Sequence, residues 1–153
     1  MEENQAVFVI LYSDDFLGNP HNKKVLTAVR WDNRFGYIGG RVEKGESLEG
    51  ALVREVREEI GFDLTPYKDN IDIICKNHHD KKSLDIYTCE CKISIDDMRF
   101  ILGNWFSAKD AEFEIAGVCA INSEHNEKML KNNFAATARY ELETFLKKHD
   151  FFK

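Results

Sequence analysis

Three glutamates, Glu55, Glu58 and Glu59, stand at the i, i+3, i+4 spacing that gathers side chains on one face of a helix. They close a stretch in which six acidic residues, Glu43, Glu46, Glu49, Glu55, Glu58 and Glu59, follow the glycine pair Gly39-Gly40. At about 100° per residue from Leu48, the apolar Leu48, Ala51, Leu52, Val56 and Ile60 form one broad stripe. Glu55 and Glu59 point into that stripe, and Glu58 lies at its border. Arg54 and Arg57 emerge on the opposite side; one of them can fold back to orient a glutamate, but two guanidiniums cannot neutralise the cluster. Carboxylates this close repel one another and lose hydration when turned toward a core, so the fold must offer them a strong cationic partner. Mg²⁺ suits them, because it takes carboxylate oxygens, keeps waters and bridges to substrate phosphates. An ordinary charge-laced surface helix has a similar composition, and only the fixed spacing separates the two readings.

That spacing resembles the Nudix box, the signature of the Nudix hydrolases: Gly, five residues, Glu, seven residues, then Arg-Glu-aliphatic-x-Glu-Glu-x-Gly-aliphatic. The matching residues are Gly40, Glu46, Arg54, Glu55, Val56, Glu58, Glu59 and Gly61. Phe62 alone departs, an aromatic where an aliphatic is usual, at a position that anchors the core and binds nothing. Seven specified residue types at roughly one in fifteen each arise by chance about once in a hundred million starting positions.

The resemblance implies Mg²⁺ or Mn²⁺ bound at the box, with water directed onto the diphosphate linkage of a nucleoside diphosphate joined to another group. It matches Glu55, Glu58 and Glu59 to metal-binding glutamates, the Gly39 carbonyl to a backbone ligand and Arg54 to the arginine that orients a glutamate. Glu46 corresponds to a mainly structural acid. Either Glu58 or Glu59 serves as general base, directly or through a metal-bound water. A later acid often completes the ligand set, and of Asp110, Glu112 and Glu114 the expected one is Glu114, which opens a late strand.

For substrate, the segment 30–40 and the run 133–139 look similar to a Nudix subgroup containing the snoRNA-decapping and inosine-diphosphatase enzyme of animals, and to small phage Nudix enzymes. That similarity implies Arg30 on phosphate or ribose and Tyr37 stacked on a base, against the plainer reading of Tyr37 as a core aromatic. Phe8 stands where the animal enzyme has a histidine, which puts a purine-specific polar contact there in question. The leading expectation is a metal-dependent hydrolase of ADP-ribose, flavin adenine dinucleotide or diadenosine polyphosphates that releases a nucleoside monophosphate. The alternatives are removal of an RNA 5′ cap or noncanonical 5′ end, and a nucleotide sensor without catalysis. The sensor is disfavoured because all the box glutamates are present. Homodimers are common in the family.

The remaining features bound the protein. The 153 residues suit a single domain, 1–153, with 43% hydrophobic and 31% charged residues. A net charge of −6 argues against capture of long nucleic acid, though not of one capped end. With no basic-then-apolar leader and no membrane-length apolar run, a cytoplasmic protein without membrane contact is expected. Cys75, Cys89, Cys91 and Cys119 fall in strand-like runs and read as reduced core thiols.

Strands are expected at 6–12, 25–30, 36–38, 71–76, 84–92 and 114–121, with His78-His79 in a loop between the fourth and fifth. Helices are expected at the box, at 95–102 with Ser94 as cap, and over the amphipathic end of the chain, about 123–149. This is an α/β domain, and the family resemblance implies a mixed sheet sandwiched between helices.

Overall fold

The computed structural model describes residues 4–14, 23–108, 115–121, 133–135, 137–149 and 151. Its strands are β1 (Asn4–Ser13), β2 (Lys24–Val29), β3 (Phe35–Gly36), β4 (Ile38–Arg41), β5 (Asp72–His79), β6 (Leu84–Lys92) and β7 (Gly117–Ile121). Its α-helices are α1 (Leu48–Ile60), α2 (Ile95–Asn104) and α3 (Ala138–His149).

The apolar run of β1 forms the centre of a mixed sheet. It pairs in parallel with β6, from Asn4 opposite Leu84 to Tyr12 opposite Lys92, and antiparallel with both β2 and β4. The order β3-β2-β1-β6-β5 is completed by β7 against β2 and β4 against β1. A strand covered on both faces must bury both sets of its alternating side chains. Val7, Val9 and Leu11 therefore meet Leu52, Val56 and Ile60 of α1 and Met98 and Ile101 of α2. Ile10, flanked by Phe8 and Tyr12, faces Leu142 and Phe145 of α3 on the other side. The result is the expected α/β/α sandwich.

Local signals hold the box helix in place. Ser47 caps α1 by accepting from Gly50 N at 2.9 Å, and Gly61 ends it at φ 67°, in the left-handed region that glycine enters without strain. Phe62 just beyond is buried against Tyr67, the anchor expected of it. Ser94 caps α2 through Asp97 N.

Three expectations change. The short strand at 36–38 is two strands, broken at Tyr37 as the chain passes from pairing with β2 to pairing with β1. His78 and His79 belong to β5 rather than to a loop, opposite Asp85 and Leu84, and the turn is made by Asp80, Lys81, Lys82 and Ser83. β5 is the edge of the sheet, so its polar residues face water on a strand, and His78 pairs with Asp85 at 2.8 Å across it. The late strand begins at Gly117, and Asp110, Glu112 and Glu114 lie outside the described residues, as does the segment 122–132 of the terminal helical pattern. All four cysteines are free and on strands. Among the described residues no helix is long and apolar enough to cross a membrane.

Candidate active site

Two glycines set the spacing around β4, Gly39 toward β1 and Gly40 toward the box helix. Gly39 has φ 154°, and a Cβ there would stand 2.0 Å from the Val7 carbonyl oxygen. A Cβ at Gly40 would meet Glu55 Oε1 at 2.6 Å. The absent side chain at Gly40 leaves room for Glu55, and Glu59 Oε2 accepts a long hydrogen bond from Gly39 N at 3.4 Å. Glu59 is 4% exposed, whereas the Glu58 side chain, at the border of the stripe, is 42% exposed.

Arg54 leaves the outer side of α1 and folds back across this group. Its Nε and Nη2 grip Glu46 at 2.9 and 3.0 Å, Nη1 reaches Glu55 at 3.0 Å and Glu58 at 3.3 Å, and Nη2 also donates to the Arg41 carbonyl at 3.0 Å. A planar fork can make these contacts together where an ammonium could not. The hydrogen bonds from Arg54 hold the Glu46 carboxyl below the usual glutamate range, and Glu46 accepts from Glu43 N as well, closing the loop that precedes α1. Arg57 points outward to Asp63. Among the described residues no group of three or more Asp, Glu, His or Cys side chains is arranged to hold an ion.

Beside Glu59 opens a cleft of about 330 Å³, within the range of small-molecule sites. Gly39, Glu59, Arg30 and Tyr37 all line it, although they come from three separate parts of the chain. Arg30 stands half-exposed at the end of β2, paired with Asp32 at 3.1 Å. Tyr37 is buried, and its hydroxyl donates to the Ala138 carbonyl in the first turn of α3. Burial, and after it the charge of Glu141, push that hydroxyl well above its ordinary pKa.

Glu141 is the residue that sequence reasoning missed. It is 4% exposed and lines the same cleft. The signal was present: Glu141 stands in the apolar stripe of Ala138, Leu142 and Phe145, much as Glu55 and Glu59 stand in theirs. A larger cavity, about 600 Å³, lies at the far end of β1 and β6 around Tyr12, Asp72 and Lys92, and none of the box residues reaches it.

Residues 5–152 match the family described as Nudt16-like, U8 snoRNA-decapping enzyme-like. The chain belongs to the Nudix family. Its Nudix fold is similar to that of a MutT/nudix family protein from Listeria innocua, with a TM-score of 0.68 at 15% identity over 97% of this chain and 94% of that one. It is also similar to the Ap4A hydrolase of C. elegans, with a TM-score of 0.57 at 15% identity over 94% of this chain and 96% of that one. By sequence it is 46% identical over 54 residues to the nucleoside triphosphatase NudI of Salmonella schwarzengrund. That match takes in 32% of this chain and 38% of the relative's length.

Proposed function

We propose that residues 1–153 form a single-domain, cytoplasmic Nudix hydrolase that cleaves the diphosphate linkage of a nucleoside diphosphate joined to another group. ADP-ribose, flavin adenine dinucleotide and diadenosine polyphosphates exemplify that class, and the product is a nucleoside monophosphate. The carrying observation is Glu59, a buried carboxylate against the Gly39 backbone and in the wall of the cleft that Arg30 also lines.

The donor set suits a hard divalent ion such as Mg²⁺ or Mn²⁺, since Glu55, Glu58, Glu59 and the Gly39 carbonyl offer only oxygens. Glu114 is proposed as a further ligand. When bound, such an ion neutralises phosphate charge and sharpens the acidity of water. Glu58 or Glu59 takes the proton of the attacking water. Arg54 positions Glu55 and Glu58 through its contacts at 3.0 and 3.3 Å. Arg30 holds a phosphate or ribose oxygen at the mouth, and the Tyr37 ring stacks on the base.

A second reading, removal of a capped or noncanonical RNA 5′ end, is supported by the description of the matching family and uses the same chemistry. The test is monophosphate release from ADP-ribose, flavin adenine dinucleotide, diadenosine triphosphate, inosine diphosphate and capped RNA, with Mg²⁺ and with chelator, for the native chain and Glu59→Gln. Metal-dependent release that is lost in the variant is expected. Release that survives both chelator and substitution refutes the proposal.

A further inference from the structure

The cavity of about 600 Å³ at the far end of β1 and β6 is larger than the cleft beside Glu59 and takes no part in the proposed hydrolysis. Its wall carries Asp14, just past β1, with Asp69 and Asp72 where the chain enters β5. Among the described residues none of these three acids has an ion pair. Oδ1 of Asp14 is moreover shut off from solvent and has no hydrogen-bond donor. A buried carboxylate oxygen without a donor is costly, and a ligand that brings N–H groups to it relieves that cost. Glu90 at the back is 3% exposed but already satisfied, because Lys148 and His149 at the end of α3 take one oxygen each. Lys92 is the basic residue among the described ones in the wall, so three carboxylates against one ammonium leave two negative charges without a counter-charge. The field of these acids is felt at Tyr12, whose hydroxyl is pushed up to about 12 by burial and then by the charges of Glu90, Cys91, Asp14 and Asp72.

We propose that this cavity is a second binding site, and that it takes an aliphatic polyamine, a flexible chain carrying two or more ammonium groups. Its charge calls for a cation with donors, which an ammonium supplies to an acceptor-only carboxylate. A bare inorganic ion does not suit it, since no three acids among the described residues are arranged to hold one. Carboxylates spread along a cavity match charges spread along a chain. Between the acids, the rings of Tyr12 and Tyr67 offer apolar contact to methylene groups and π-faces to an ammonium. The Tyr67 ring is fixed for this, because its hydroxyl donates to Asp97 Oδ2 and accepts from Ser94 N at 3.0 Å. The volume lies within the range of small-molecule sites. None of the box glutamates reaches this end of the sheet, so the site stands or falls independently of the hydrolase.

The experiment is calorimetric titration of the intact chain with spermidine, putrescine and butane-1,4-diol in chelator at constant ionic strength, for the native sequence, Asp14→Asn, Asp72→Asn and Glu59→Gln. The native chain is expected to bind spermidine at one saturable site, putrescine more weakly and the uncharged diol not at all. Asp14→Asn is expected to weaken spermidine at least about tenfold, because hydrogen bonds to a shielded charge are the strong ones. Asp72→Asn, on the exposed rim, is expected to weaken it about two- to fivefold and provides the test should the Asp14 variant fail to fold. Glu59→Gln is expected to bind as the native chain does. Spermidine should also raise the melting temperature of the native chain, where sodium chloride of equal ionic strength does not. No saturable binding, equal binding of the diol, or a rise that sodium chloride reproduces overturns the inference. So does affinity that survives both aspartate substitutions. Affinity lost in Glu59→Gln and kept in Asp72→Asn assigns the amine to the box glutamates and overturns it as well.

Discussion

Replacing Arg54 by alanine removes a side chain that bridges Glu46, Glu55 and Glu58, and its cost can be worked from the contacts. The paired hydrogen bonds to Glu46 involve side chains only 24% and 21% exposed, where charged hydrogen bonds are worth about 1.5–3 kcal/mol. The contact to Glu55, at 12% exposure, adds about 1 kcal/mol. Glu58 is 42% exposed, and solvent screening reduces its contribution to a few tenths. The total is about 3 kcal/mol, which for a domain of this size lowers the melting temperature by roughly 6–12 °C. Urea denaturation in chelator measures it, and Arg54→Lys, which keeps the charge and loses the fork, is expected to lie between the two.

The pH dependence has a definite sign. The folded-state pKa of Glu46 is depressed below its ordinary value of 4.5, so the stability it contributes is complete above that value and disappears as pH falls through the lower folded-state one. The gap between native chain and variant is therefore full at pH 7 and narrows in acid. Divalent metal should narrow it too, by replacing the missing positive charge among the carboxylates. A loss below about 1 kcal/mol at pH 7, or one equal in chelator and in Mg²⁺, refutes the account of Arg54 as the counter-charge of this cluster.

Gly39→Ala is expected to lose 3 kcal/mol or more in the same assay, since its Cβ meets backbone at 2.0 Å, whereas Gly45→Ala meets nothing within 4 Å and carries only the strain of φ 83°, about 1 kcal/mol. Burial pushes the Cys89 and Cys91 thiols up to about 12, so iodoacetamide at pH 8 should leave both unmodified in the folded chain and label them in urea, read by mass spectrometry. Labelling of either in the folded chain would contradict their place in the core. Tyr37→Phe leaves the Ala138 carbonyl without its hydroxyl donor and is expected to cost about 1–2 kcal/mol while keeping the ring in the cleft wall. A marked rise in KM with unchanged stability would instead assign the hydroxyl to substrate.

The reach of sequence reasoning along this chain follows the range of the interactions involved. Caps, the helical face of the glutamates and the doubly buried β1 were legible because each depends on residues within a few positions of one another. The histidine pair at the end of β5 was misjudged because an edge strand with wet faces has a loop's composition, and only its pairing with β6 reveals it. Glu141 was overlooked although it interrupts an apolar stripe, since the nearest acid, Glu143, stands two residues on and does not share its helical face.

By itself the sequence determined the family-bearing loop and helix, the shared face of Glu55, Glu58 and Glu59, and the need for a counter-charge, because helical geometry converts spacing into proximity without reference to the rest of the fold. It also specified glycine where β4 and α1 touch. Periodicity left open which arginine turns back over the acids and the family resemblance pointed to Arg54; the physical reason lies in tertiary structure, where Arg54 reaches Glu46 and the Arg41 carbonyl across a loop closed by β4 while Arg57 pairs with Asp63. The sandwich likewise brought Arg30, Tyr37, Glu59 and Glu141 to one cleft. Glu59 and Glu141 are far along the chain from Arg30 and Tyr37 and from each other, and their meeting depends on strand order and on α3 packing across the sheet, which no local pattern encodes.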